Sequence, residues 1–234
     1  VRVGGSPATK AARLVAPSDV VDIAGPSRRY VSRGGEKLAA GLARFRIDPY
    51  GLECLDAGAS TGGFTDCLLQ AGARHVVAVD VGYGQLAWSL RADDRVTVLE
   101  RTNVRDLAPD ALPYRPQLVV ADLSFISLRR VLPALGAVAA PDASAVFLVK
   151  PQFEAGRDDV GRGGVVRDPR VWARVLSAVI AASVDAGFAP RGVMASPVRG
   201  PAGNVEFLVW ARRGAPTAAL DVDAAVAEGL EVAA

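Results

Sequence analysis

Five polar residues close, or shortly follow, apolar runs in this sequence, and each could do chemistry: Asp56 after Leu52 to Leu55, Asp80 after His75 to Val79, Asn103 after Val96 to Leu99, Asp122 after Gln117 to Ala121, and Lys150 after Ala145 to Val149. Two more are conspicuous. Glu206 interrupts the apolar run formed by Val205 and Phe207 to Trp210, and Lys37 borders a helical stripe of Leu38, Leu42 and Phe45. A lysine or carboxylate at the end of an apolar strand is costly to bury unless it is paired or used. In open α/β sheets the carboxyl ends of strands are where ligands bind.

The stretch Asp56-Ala57-Gly58-Ala59-Ser60-Thr61-Gly62-Gly63-Phe64-Thr65 has the order strand, glycine-rich loop, helix. Glycines let backbone approach a ligand, and a helix N-terminus offers free N–H groups to it. Two ligand classes use such a loop. A dinucleotide wants its pyrophosphate on the helix dipole, and a carboxylate before the first glycine repels it. A methyl donor such as S-adenosylmethionine carries an ammonium group, which Asp56 suits. The loop residues Asp56, Gly58, Ala59, Ser60, Gly62, Gly63 and Phe64 are therefore candidates for holding this cofactor. Asp80, about twenty residues after the loop, is placed to accept from both ribose hydroxyls of either ligand class. Asn103 is a candidate for the adenine edge, against its alternative as a turn-forming asparagine. Asp122 would face the transferred methyl group.

The acceptor is narrowed by what surrounds Asp122. Amino-group methyltransferases usually show Asp/Asn-Pro-Pro-aromatic at this strand end, whereas the chain reads Asp122-Leu123-Ser124-Phe125. Methylation of a cytosine carbon needs a nucleophilic cysteine, and neither Cys54 nor Cys67 is placed for it. An oxygen acceptor remains. Lys37, Asp122, Lys150 and Glu206, drawn from four separate elements, are the candidate catalytic set.

These residues need a scaffold to converge. Strands are predicted at 52–56, 75–79, 96–99, 117–121 and 144–149, and helices at 36–45, 64–71, 127–139 and 169–186. That βαβ rhythm predicts a mostly parallel sheet with helices on both faces. Two last strands, near 192–197 and 204–211, are joined by a turn short enough to require antiparallel pairing. A seven-stranded, mostly parallel sheet with an antiparallel last strand is the Rossmann-like form used by S-adenosylmethionine-dependent methyltransferases. Residues 1–23 alternate short apolar runs with turns and read as the end of a small β-rich module. Residues 24–33 are expected to be a linker, 34–213 the main domain, and 214–234 an acidic tail, helical or frayed.

Composition bounds the rest. Half of the 234 residues are hydrophobic and 22% are charged, which suits one ordinary domain with a small appendage and argues against disorder. No apolar run reaches 18 residues and no signal-peptide pattern opens the chain. The two cysteines have no metal-ligand spacing, so buried thiols in a reducing compartment, no metal and a cytoplasmic location are expected. The first residue is Val1, and the sequence opens in mid-pattern, as a fragment would. Charge is uneven: residues 1–46 hold nine basic residues and three acids, against an overall net charge of +2. The last 21 residues hold four acids and no base. A basic head suits a polyanion, with Arg2, Lys10, Arg13, Arg28, Arg29 and Arg33 as candidate contacts.

The set Lys37, Asp122, Lys150 and Glu206 resembles the Lys-Asp-Lys-Glu tetrad of FtsJ-like RNA ribose 2′-O-methyltransferases. The strings Tyr30 to Leu38, Asp56 to Thr65, Asp122 to Ser127 and Val149 to Glu154 resemble those of the TlyA family of bacterial rRNA methyltransferases, also called haemolysins, over about residues 1–213. Residues 1–23 resemble the C-terminal end of that family's S-four-like RNA-binding domain. Arg28-Arg29-Tyr30-Val31 resembles its Arg-x-Trp-Val interdomain element, with Tyr where Trp is usual. The resemblance implies 2′-O-methylation of cytidine in 16S and 23S rRNA of both ribosomal subunits, with S-adenosylmethionine as donor; a monomer is expected. Lys150 is expected to be the group nearest the hydroxyl, as base or orienter, with Asp122 and Glu206 holding the lysines and Lys37 also positioning the RNA backbone. A membrane-active haemolysin is the alternative, which no amphipathic or spanning segment supports. The stretch Gly156 to Gly164 looks like a loop near the site that orders on RNA.

Overall fold

A computed structural model describes residues 1–10, 12–22 and 29–234. Arg28, and residues 24–28 of the expected linker, lie outside the described residues. Three short antiparallel strands open the chain: β1 (Arg2–Val3), β2 (Ser6–Pro7) and β3 (Val21–Asp22), in the order β2-β1-β3. Gly4 and Gly5, both at positive φ, make the β1–β2 turn.

The rest is built on a seven-stranded sheet of β4 (Glu53–Ala57), β5 (His75–Val79), β6 (Val96–Leu99), β7 (Leu118–Ala121), β8 (Ser144–Val149), β9 (Phe188–Ala195) and β10 (Phe207–Arg213). Its spatial order is β6-β5-β4-β7-β8-β10-β9, and β10 alone runs against its neighbours. The order reverses beside β4, the switch point at which such sheets bind ligands. The expected mostly parallel sheet with an antiparallel last strand is what the chain forms. The hairpin bounds differ: β9 starts before residue 192, with Pro190 tolerated because β9 is the edge strand. Glu206 accordingly sits just before β10, not within it.

The helices are α1 (Gly34–Phe45), α2 (Gly63–Gln70), α3 (Trp88–Arg91), α4 (Leu132–Val138), α5 (Pro151–Glu154), α6 (Pro169–Asp185) and α7 (Val222–Ala233). The segment expected as one helix at 127–139 is two pieces, a 3-10 turn at Leu128–Arg130 and then α4. Ser127 caps the first piece, and Pro133, lacking an N–H, is confined to the first turn of the second. Asp168 and Pro169 start α6 in the usual cap-then-proline order.

Alternation along the strands divides the core between the two sheet faces. Leu55, Val77, Val119 and Phe147 pack with α4 and α6 residues such as Leu132, Leu135, Trp172 and Leu176. Cys54, Val76, Leu118 and Val146 pack with Leu38 and Leu42 of α1 and Leu68 of α2. Cys54 and Cys67 are free and buried in that second layer, where desolvation pushes their thiols up to about 12 and about 11, so neither supplies a thiolate. The acidic segment after residue 214 ends in a helix, α7, capped by Asp221 and packed on β9 and α6. Among the described residues no helix is long and apolar enough to cross a membrane.

Candidate functional site

The carboxyl ends of β4, β5, β7 and β8, the N-termini of α1 and α2, and the approach to β10 meet around two adjoining cavities. One, of about 220 Å³, is lined by Lys37, Asp122, Lys150 and Glu206 together with Ser32 to Gly34, Gly58 to Thr61, Gly63, Phe64, Ser124 and Pro201. The other, of about 490 Å³, is lined by Gly58, Ser60, Asp80, Gln85, Asn103, Asp122 and Ser124, with apolar walls from Leu123, Phe125, Ile126 and Val131. Gly58, Ser60, Asp122 and Ser124 border both.

The four ionisable residues resolve into two pairs. Lys37 and Glu206 are 5% and 1% exposed, and Lys37 Nζ donates to Glu206 Oε2 at 2.5 Å. Lys37 is buried with α1's apolar stripe, a position tolerable because its charge is matched. Glu206 Oε1 has no hydrogen-bond partner among the described residues. Lys150, just past β8, pairs with Asp122 Oδ1, just past β7, and donates to Ser124 Oγ at 3.1 Å. Two ammonium groups and two carboxylates thus line one small cavity.

The glycine loop is held by its own strand neighbours. Gly58 has φ +90, and a Cβ there would lie 2.4 Å from the Asp122 carbonyl oxygen, so only glycine lets the loop rest on the β7 end. Gly62, expected to face the ligand, instead packs against Leu86 and Leu90 and lines neither of the two cavities. Gly63 and Phe64 border the smaller cavity, and Ala59 and Ser60 lie between them and the β4 end. Asp80 Oδ2 accepts from Ser60 N–H at 2.8 Å and Oδ1 from Gly82 N–H at 2.7 Å, which fixes the carboxylate at the larger cavity. Asn103 answers to both of its alternatives: Oδ1 caps the next turn by accepting from Arg105 N–H at 3.1 Å, while the residue lines the larger cavity. Its amide NH₂ is the part left to meet a base.

Asp56 is placed differently from the expectation. It is fully buried beneath the loop, accepts from Thr65 Oγ1 at 2.6 Å, and lines neither of the two cavities. Its Oδ1 has no partner among the described residues. Desolvation raises the carboxyl from 3.8 to about 7, which the Thr65 hydrogen bond opposes and Asp122 and Asp80 reinforce. The sign of the linkage follows. Between about pH 4 and 7 the unfolded chain has released this proton and the folded chain keeps it, so rising pH through that window weakens the fold. Asp56→Asn, which keeps an acceptor for Thr65, is expected to flatten the fall in melting temperature across that window. An unchanged slope in thermal melts at pH 4.5 and 7.5 would refute this.

Three residues at the cavities carried no signal beyond their position after a strand end. Ser124 holds Lys150, Gln85 lies beside Ser60 with Ser60 Oγ 3.4 Å from Gln85 Oε1, and Phe125 is 91% exposed at φ 64. Of the basic candidates, Arg2, Lys10, Arg13, Arg29 and Arg33 are all exposed, and Arg33 borders the smaller cavity. Tyr30 is buried against Gly35, with the Arg29 guanidinium 5.1 Å from its ring centroid. The segment expected as a loop at 156–164 contains a 3-10 turn and is tied down by Asn204, which accepts from Val166 N–H and donates to the Gly164 carbonyl, each at 2.9 Å.

Cavities of this shape, with an acid, an amide and apolar walls on one side and paired lysines on the other, fit a nucleoside-bearing methyl donor. The model of the FtsJ-like methyltransferase family matches residues 30–213. The chain belongs to that family. It is 56% identical over 213 residues to the 16S/23S rRNA (cytidine-2′-O)-methyltransferase TlyA of Mycobacterium tuberculosis, covering 91% of this chain and 80% of that protein. A Streptococcus thermophilus structure that carries the name hemolysin superposes with TM-score 0.84 at 42% identity, covering 89% of this chain and 77% of that one. An S-adenosylmethionine-dependent methyltransferase from Mesorhizobium loti shares the fold at TM-score 0.56 and 17% identity, over 74% and 96% of the two chains. All four tetrad positions fall within the matched FtsJ-like segment, while α7 lies beyond it.

Proposed function

We propose that this chain transfers the methyl group of S-adenosylmethionine to the ribose 2′-hydroxyl of cytidine in 16S and 23S rRNA within ribosomal subunits, as a cytoplasmic, metal-independent monomer. The observation that carries the reading is the meeting of Lys37–Glu206 and Lys150–Asp122 at one cavity beside the glycine loop. The TlyA relative's name supplies the acceptor.

When bound, S-adenosylmethionine supplies an electrophilic methyl group on a sulfonium. The protein's task is to align an oxygen with it and take up a proton. Asp80, Asn103, Leu123 and Ile126 belong to the nucleoside side. Lys150 is the ammonium at the reacting side, fixed by Asp122 and Ser124, and it orients the 2′-oxygen or receives its proton. Lys37 and Glu206 form the opposite wall. Arg33 at the cavity edge, and Arg2, Lys10, Arg13, Arg28 and Arg29 in the basic head, would meet phosphates and make binding salt-dependent.

Phe125 offers a nearly bare ring beside the cavity, with its centroid 5.2 Å from that of Phe153. Stacking of a base on an aromatic face contributes about 1–3 kcal/mol. Phe125→Ala is expected to raise the KM for RNA about tenfold or more. Steady-state kinetics with varied RNA check this, and an unaltered KM for RNA removes Phe125 from the acceptor side.

The function is tested by incubating separated 30S and 50S subunits with this chain and S-[methyl-³H]-adenosylmethionine, then mapping 2′-O-methylcytidine. Label on a ribose of cytidine supports the reading. Label on a base, or none with either subunit, rejects it. Liposome leakage measured alongside distinguishes the haemolytic alternative.

A further inference from the structure

Glu154 is 8% exposed at the end of α5, four residues after Lys150, and takes no part in the tetrad. Its carboxylate reaches back to the segment that follows Asp122. Oε1 accepts from Leu128 N–H at 2.5 Å, and Oε2 accepts from Ser127 Oγ at 2.6 Å and from Arg129 Nε at 3.3 Å. Arg129 also donates to the Glu154 carbonyl at 3.2 Å. The two segments joined in this way hold the two halves of one catalytic pair. One runs from Asp122 through Ser124 and Phe125 to the 3-10 turn at Leu128–Arg130, and the other runs from Lys150 through α5. Phe125 and Phe153 touch across the same seam. A single backbone Cα step separates neighbouring residues by about 3.8 Å, so a slip of the seam by a fraction of a residue would pull Lys150 away from Asp122 and Ser124.

We propose that Glu154 is a positioning residue for methyl transfer, a buried carboxylate latch that sets the register of the Asp122–Ser124 loop against Lys150. The other contacts across the seam are one hydrogen bond from Arg129 to the Glu154 carbonyl, the Phe125–Phe153 contact and those of Lys150 itself. The two strands it follows are paired only as far as Ala121 and Phe147, so beyond them the sheet no longer dictates the spacing. Hydrogen bonds that a carboxylate accepts from a backbone N–H and a hydroxyl are the strong, charge-assisted kind, and three donors converge on this one group. An amide cannot replace it: glutamine has one acceptor oxygen, and its NH₂ would face a donor.

The proposal rests on the methyl-transfer reading above, so its test has an arm independent of activity. Glu154→Gln is compared with the parent chain by hydrogen–deuterium exchange and by single-turnover methylation of rRNA. Peptides covering 122–130 are expected to exchange about tenfold faster or more, since a lost hydrogen bond of ~1.5 kcal/mol is worth a factor near ten, while peptides of β10 stay unchanged. The methylation rate is expected to fall about 10- to 100-fold with cofactor affinity kept, a split that general loss of folding would not give. Ser127→Ala, which removes one donor and leaves the carboxylate, should show the same pattern more weakly. Unchanged exchange in Glu154→Gln overturns the latch. Faster exchange with an unchanged methylation rate overturns its role in the reaction. A parent chain that methylates nothing overturns the functional reading itself, and the exchange arm then still decides whether Glu154 joins the two segments.

Discussion

Lys150→Ala is expected to lower methyl transfer by about 10³-fold, the range in which positioned proton-transfer groups contribute, while S-adenosylhomocysteine still binds with near-parental affinity. The separation of effects follows from placement. Lys150 borders the smaller cavity and not the larger one, where Asp80, Asn103 and the apolar walls lie. Its ammonium is spoken for by Asp122 and by Ser124 at 3.1 Å, contacts that fix it in the smaller cavity. Lys150→Arg discriminates between its two possible roles. Arginine keeps the charge and can orient an oxygen but does not give up a proton in proteins. An arginine variant as dead as the alanine one means Lys150 takes the proton, whereas substantial recovery means it orients and stabilises. Calorimetric titration and single-turnover kinetics give the two numbers. An alanine variant retaining more than about a tenth of the rate would remove Lys150 from the chemistry altogether, since positioned proton-transfer groups contribute at least ~10²-fold.

The second large effect is on the fold as well as the reaction. Lys37→Met leaves Glu206 buried and 1% exposed, with its Oε1 already lacking a partner among the described residues and its Oε2 losing its lysine. Breaking a buried pair from one side costs about 3–5 kcal/mol, which for a chain of this size lowers Tm by roughly 10 °C. Removing both charges behaves differently. Lys37→Met combined with Glu206→Leu leaves no stranded charge, and its stability is expected to return to near or above the parent while methyl transfer stays absent. Thermal melts of the two single variants and the double variant close the cycle. Additive losses would mean the pair is not coupled.

The sequence made the scaffold legible for a physical reason. Strands buried on both faces of a parallel sheet are written as plain apolar runs, so Val76 to Val79 and Val146 to Val149 stand out, and the polar residue that ends each run marks the ligand crevice. Lys37, Asp122, Lys150 and Glu206 all gather at one cavity as their types implied. Burial beneath a loop left no such mark. Asp56 looks from its spacing like a ligand-facing acid, yet the same position serves to tie the strand to Thr65, and only coordinates tell the two apart. Gly62 likewise owes its place to Leu86 and Leu90. Glu154 was unremarkable in sequence because its partners Ser127, Leu128 and Arg129 lie at least 25 residues away, on the far side of a strand.

The Lys37–Glu206 bond joins residues 169 positions apart. Helix α1 is made early and the approach to β10 late, so during synthesis the glycine loop, Asp80, Asp122 and Lys150 all emerge before the site has its fourth wall. Until Glu206 arrives, Lys37 has no carboxylate to accompany it into the interior, and the helix that carries it stays unsealed. The smaller cavity is therefore walled only once the chain has been made past Glu206.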